Sequence, residues 1–165
     1  MKMMSVCGLC LVLILALGAQ SFAQTQITST GTNYASSIMK VSPIDQEHWV
    51  AAVDQMGIRL DDTGKGPFHL LSTHVAVIMY GDKIGVQFHG YLTQMDKDND
   101  KIIWEIWGIT PAGDKGKAKV IGATGKFSGM QGTGDFETTT AAGFPQGTGR
   151  MVCKEVLRMT LKAPL

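Results

Sequence analysis

From Ile38 onward the chain alternates apolar and polar positions in short runs broken by Gly, Asp, Asn and Lys, the period of two that strands produce and helices do not. The runs are "WVAAVDQMGIRL", "FHLLSTHVAVIMY", "IGVQFHGYLTQM", "KIIWEIWGI", "KAKVIGA", "TGDFETTT" and "RMVCKEVLRMTLK". Between them sit turn formers: "YGDKI", "MDKDNDK", "TPAGDKG" and "AAGFPQGTG". A helical stripe fits only "IDQEHWVAAVDQM", where Ile44, Trp49, Ala52, Val53 and Met56 would share a face. Sequential strands with short connections predict an all-β antiparallel sandwich or up-and-down barrel. Closing roughly eight strands removes the exposed edges and leaves an interior that side chains or one small ligand can fill.

The N-terminus follows a different pattern. Lys2 precedes an apolar run to Leu17, and Ser21, Phe22 and Ala23 place small residues around a large one, which predicts a signal peptide over 1–23. The run is shorter than the ~20 residues a spanning helix needs, so no stable membrane anchor is expected after cleavage and the product is expected to be secreted or periplasmic. Residues 24–37, rich in Ser and Thr, read as a mobile leader or a loose first strand, and 38–164 as the barrel domain. Cleavage removes Cys7 and Cys10, so Cys153 is left without an intramolecular partner and is expected to pack as a small hydrophobe. The remaining 142 residues (165 less 23) are enough for one core. Their 14 basic residues (15 less Lys2) balance 14 acidic ones, and nothing in that charge steers the chain to nucleic acid.

The glycine-rich "GATGKFSGMQGTGDFE", Gly122 to Glu137, invites a phosphate-loop reading. It fails, because Gly125 and Lys126 are followed by Phe127 instead of a hydroxyl residue and Val120 stands where the first glycine is required. No βαβ pattern supports a dinucleotide site either. The physical alternative is structural: glycines that permit positive φ and sharp strand bends, with Phe127 and Phe136 as apolar anchors. The stretch "DKDND" resembles half of a calcium loop, but Lys101 and Trp107 occupy the positions that need Gly and Glu, so a solvated turn is expected. His69 and His74 face opposite sides of a strand, and no metal or other cofactor is expected.

With the glycines read as a β corner, three stretches carry a family likeness: "DDTGKGPFH" (61–69), "FHGYLTQMDKDNDKIIWEIWG" (88–108) and "VIGATGKFSGMQGTGDFE" (120–137). Together they make the chain resemble the exported bacterial proteins that share the allene oxide cyclase type of barrel, related to the dirigent proteins. The resemblance implies an eight-stranded antiparallel barrel with an apolar lumen, often assembled into homo-oligomers. It supplies no catalytic residues for this chain.

Strand alternation places two carboxylates in apolar rows. Glu155 shares a row with Met151, Cys153, Leu157, Met159 and Leu161, and Glu105 shares one with Ile103, Trp107 and Ile109. A carboxylate held among such neighbours loses hydration and is poised for proton transfer unless Arg150 or another base pairs with it. Gln87, His89 and Tyr91 form the row of the preceding strand. A five-residue turn, Asp96 to Asp100, sets Tyr91 opposite Glu105 and His89 opposite Trp107; a four-residue turn separates them. The expected site is a lumen lined by Glu105, Glu155, His89 and Tyr91 with Trp104 or Trp107 as walls, taking a small hydrophobic molecule with one polar handle. Binding, a cyclase or isomerase using Glu105 or Glu155, and a filled scaffold barrel remain three open readings, as does an outward Glu in a subunit interface.

Overall fold

A computed structural model describes residues 24–110, 115–143 and 148–161 of the chain. The expected signal segment over 1–23, the tips of the "TPAGDKG" and "AAGFPQGTG" turns and the C-terminal tetrapeptide lie outside the described residues. Eight strands follow one another: β1 Thr25–Pro43, β2 Trp49–Asp61, β3 Leu71–Gly81, β4 Val86–Met95, β5 Lys101–Thr110, β6 Lys115–Ala123, β7 Gln131–Gly143 and β8 Thr148–Leu161. Each pairs antiparallel with its sequence neighbour, and β1 pairs with β8, so the sheet closes into an eight-stranded barrel without free edges.

The Ser/Thr-rich segment 24–37 is not a leader. It forms most of β1, in register with β2 from Gly31 to Pro43 and with β8 from Thr25 to Ile38. The reason is steric: its inward positions Ser29, Gly31, Asn33, Ala35 and Ser37 are small, which suits a crowded interior, while threonine and tyrosine on the outward positions favour extended backbone. The segment that could have been helical enters β2 instead, its residues from Trp49 alternating between the two faces.

One end of the barrel is stoppered. Phe68, from the loop before β3, stacks on Phe127 with ring centroids 5.9 Å apart, and both are buried with Leu71, Ile102, Trp104, Met130 and Leu161. Phe127 lies in a short 3₁₀ turn, Gly125–Phe127, which the glycine-rich stretch forms across this end. Only Gly125 and Gly129 of that stretch have positive φ. Gly132 and Gly134 are strand residues where close packing excludes a side chain: a Cβ on Gly132 would lie 2.5 Å from the Arg158 carbonyl. The turn is tied to the acidic hairpin by Thr124 N–H donating to the Lys101 carbonyl (2.8 Å) and Lys126 N–H donating to the Asp100 carboxylate (3.1 Å).

Candidate functional site

Inward positions are the odd residues of β1, β2, β3 and β8 and the even residues of β4 to β7, as the buried members of each strand show. At the stoppered end this wall contains charge. Arg59 is fully buried: its Nε donates to Glu155 Oε2 (2.8 Å), Nη1 to the Phe68 carbonyl (2.7 Å) and Nη2 to Ser29 Oγ (2.8 Å). Ser29 in turn donates to Asp61 Oδ2 (2.5 Å). Gln94 donates to Glu155 (3.3 Å) and accepts from the Trp104 indole N–H (3.0 Å). Burial pushes the Glu155 carboxyl up from its ordinary value, and Arg59 and Gln94 pull it back. Burial also works against ionised Asp61, but hydrogen bonds from Ser29 and Thr63, with the charge of Arg59, hold it below its ordinary value.

Towards the other end the inward side chains are uncharged. Asn33 and Thr73 hydrogen-bond each other (2.9 Å). Above them stand Ala35, Ser37, Gln55, Met79, Thr138, Met151 and Cys153. Ala35, Gln55, Met79, Thr138, Met151 and Cys153 are only half-buried. These six inward side chains reach solvent above the Arg59–Glu155 layer, whereas Ala51, Val53, Val77 and Phe88, inward on β2 to β4 in the same half, are buried. Trp49 stands at the lip, with its indole packed over Gly81 where a Cβ would overlap the ring. Phe88 and Phe136, 5.9 Å apart, fill the space over inward Gly108 and Gly116. The Cys153 thiol is pushed up to about 12, first by burial and then by the charge of Glu155.

The β4–β5 hairpin has the five-residue turn, with Met95 opposite Lys101, Tyr91 opposite Glu105 and His89 opposite Trp107. Asp96 Oδ1 caps the turn, accepting from the Asp98 and Asp100 amides (2.8 and 2.9 Å). The faces, however, differ from the expectation. His89, Tyr91, Glu105 and Trp107 point outward, and Trp104 and Glu155 point inward. The four-residue lumen cluster therefore does not form. On the outer wall His89 Nε2 lies 2.8 Å from Glu105 Oε1 and His89 makes an edge contact with Tyr91. Sequence reasoning placed Glu155 in an inward apolar row but missed Arg59 and Gln94, which hydrogen-bond it, the Asn33–Thr73 pair, and Trp49 at the lip.

No family model matches the sequence, and no curated protein matches it. Among solved structures the chain is similar to the pterocarpan synthase dirigent protein GePTS1, at 13% identity and a TM-score of 0.50 over 82% of this chain and 92% of that one. It is also similar to the pterocarpan synthase dirigent protein PsPTS1, at 13% identity and a TM-score of 0.49 over 87% and 97% of the two chains. The class is thus an eight-stranded antiparallel barrel related in fold to dirigent proteins.

Proposed function

We propose that this protein is an exported barrel that binds a small, uncharged, largely apolar molecule in the cup between the Asn33–Thr73 pair and the Trp49 lip. The observation that supports it is the half-burial of inward Gln55, Thr138, Met151 and Cys153, against the complete burial of inward Arg59, Gln94 and Trp104 below them. Export rests on the apolar N-terminal run, and kinship with the allene oxide cyclase type of barrel on the three sequence stretches. Binding is favoured over a cyclase or isomerase because neither carboxylate is free to act on a molecule in the cup: Glu105 is on the outer wall, and Glu155, 4% exposed in the floor layer, is paired with Arg59. An uncharged ligand suits a wall whose hydrogen-bonding groups are amides and hydroxyls, since a buried ion there would lack a counter-charge.

The test is uptake of the uncharged fluorophore 1-aminoanthracene. Thr138→Trp and, separately, Gln55→Trp fill the cup and should abolish uptake with the β circular dichroism unchanged, whereas Glu105→Gln should leave it intact. Uptake that survives both tryptophans refutes the reading. A second inference rests on the outer wall of β1 to β4, where Ile38, Met56, Ile78 and Tyr91 are 66%, 66%, 40% and 50% exposed. So much exposed apolar surface favours a homo-oligomer packed through this wall. Sedimentation velocity should show an assembly that Ile78→Glu dissociates; a monomeric native protein contradicts it.

A further inference from the structure

The outer wall of β5 to β8 is built differently from that of β1 to β4. Two cross-strand rows of outward side chains run over it. In the first, Trp107 is in register with Lys117, Lys117 with Asp135, and Asp135 with Val156. The second contains Ile109, Lys115, Glu137 and Lys154, with Lys115 in register with Glu137 and Glu137 with Lys154. Between the rows lies an open trough of about 620 Å³ whose floor includes the backbone of Gly108 and Gly116. Crossing four strands makes it ~14 Å long at the usual ~4.8 Å strand spacing.

Its chemistry is polarised. At the β5 end the exposed faces of Trp107 and Ile109 offer apolar surface. In the first row each cation has a carboxylate partner, Asp135 accepting from both Lys117 (3.1 Å) and Arg158 (2.8 Å). In the second, Glu137 lies 3.7 Å from Lys115, and Lys154 has no carboxylate within 4 Å among the described residues. A cation in excess at one end and an indole at the other complement a molecule with an apolar body and one anionic group.

We propose that this trough is a second binding site, separate from the cup, for a soluble single amphipathic anion such as an aryl sulfonate or medium-chain carboxylate. Its body lies along Trp107 and Ile109 and its charge meets Lys154. Trp107 supplies dispersion and stacking surface, and Lys154 supplies the ion pair.

The probe is 8-anilinonaphthalene-1-sulfonate, titrated into the chain from Gln24 onward at low salt, with the indole N–H resonances of Trp49, Trp104 and Trp107 followed by NMR. The Trp107 resonance should shift on binding, and Lys154→Glu should weaken the affinity read from it at least threefold. Lys65→Glu, which makes the same change in net charge in the β2–β3 loop, should change it less than threefold. A Trp107 resonance that stays still at saturation overturns the proposal, as does a less than threefold effect of Lys154→Glu or an equal effect of Lys65→Glu. Thr138→Trp should leave this titration unchanged, so the cup and the trough can fail independently.

Discussion

Replacing Arg59 by Met tests the floor of the cup. The change removes a guanidinium that donates to Glu155, the Phe68 carbonyl and Ser29, and it puts a side chain of similar length and no charge in their midst. Glu155, 4% exposed, then keeps one hydrogen bond, from Gln94. Removing one partner of a buried ion pair costs about 3–5 kcal/mol, because the remaining charge is stranded away from water. The carboxyl escapes by taking a proton, which makes the penalty depend on pH. In the variant its folded-state value rises further above the unfolded one, so the folded form holds more protons and stability falls as pH rises from about 4.5 through the raised value. Arg59→Met should therefore lose most at pH 7 and least near pH 4.5. Adding Glu155→Leu removes the stranded charge and should recover most of the loss. Urea unfolding followed by circular dichroism and tryptophan fluorescence, at pH 4.5 and 7, measures both variants. A loss below 1 kcal/mol at pH 7, or a double variant no more stable than the single one, refutes the reasoning.

Other expectations follow from single contacts. Trp104→Phe deprives the buried Gln94 carbonyl of its donor and should cost about 1–3 kcal/mol in urea unfolding; a loss under 0.5 kcal/mol speaks against that hydrogen bond. Gly116→Leu drives a side chain into Phe136 and Phe88, whose atoms lie 2.3 and 2.6 Å from where its Cβ would stand, and should cost at least the ~1–3 kcal/mol typical of overpacking; a thermal midpoint equal to that of the native chain contradicts the packing. Asp61 is held below its ordinary value of 3.8, so its stabilising effect is present above that pH and fades as pH falls through the depressed value. Asp61→Asn should flatten the acid limb of the stability curve there, and an unchanged limb counts against it. At pH 8 a thiol near 12 carries about a thousandfold less thiolate than one at 9, so iodoacetamide should label Cys153 at least a hundredfold more slowly than free cysteine. Labelling at the rate of free cysteine contradicts the raised value.

The β period and the strand order were legible because an up-and-down barrel pairs each strand with its sequence neighbour, so the short turns carry the topology. The β4–β5 register was not legible: five- and four-residue turns both fitted the sequence, and the choice rests on Asp96 Oδ1 accepting from the Asp98 and Asp100 amides, a contact the acidic string does not specify by itself. Which face looked inward was harder. In β5 the rows Ile102, Trp104, Ile106 and Ile103, Trp107, Ile109 are equally apolar, and only Glu105 marks the second as outward. The outer wall's exposed apolar residues obscured the contrast that normally separates the two faces. Segment 24–37 lacked large apolar residues because its inward positions lie against bulky neighbours: a Cβ on Gly31 would meet the Arg59 guanidinium at 2.8 Å. Arg59 itself was out of reach of local reading, being 96 residues from Glu155 and positioned by ring closure.

The barrel is stoppered at one end by Phe68 and Phe127 and is proposed to take a small molecule at the other. Backbone amide shifts recorded by NMR while 1-aminoanthracene is titrated into the chain from Gln24 onward test this most directly. The account predicts shifts concentrated at Ala35, Ser37, Gln55, Thr138 and Cys153, with Trp104, Leu157 and Leu161 unmoved. Shifts confined to the outer wall, or spread equally over both ends of the barrel, would contradict it.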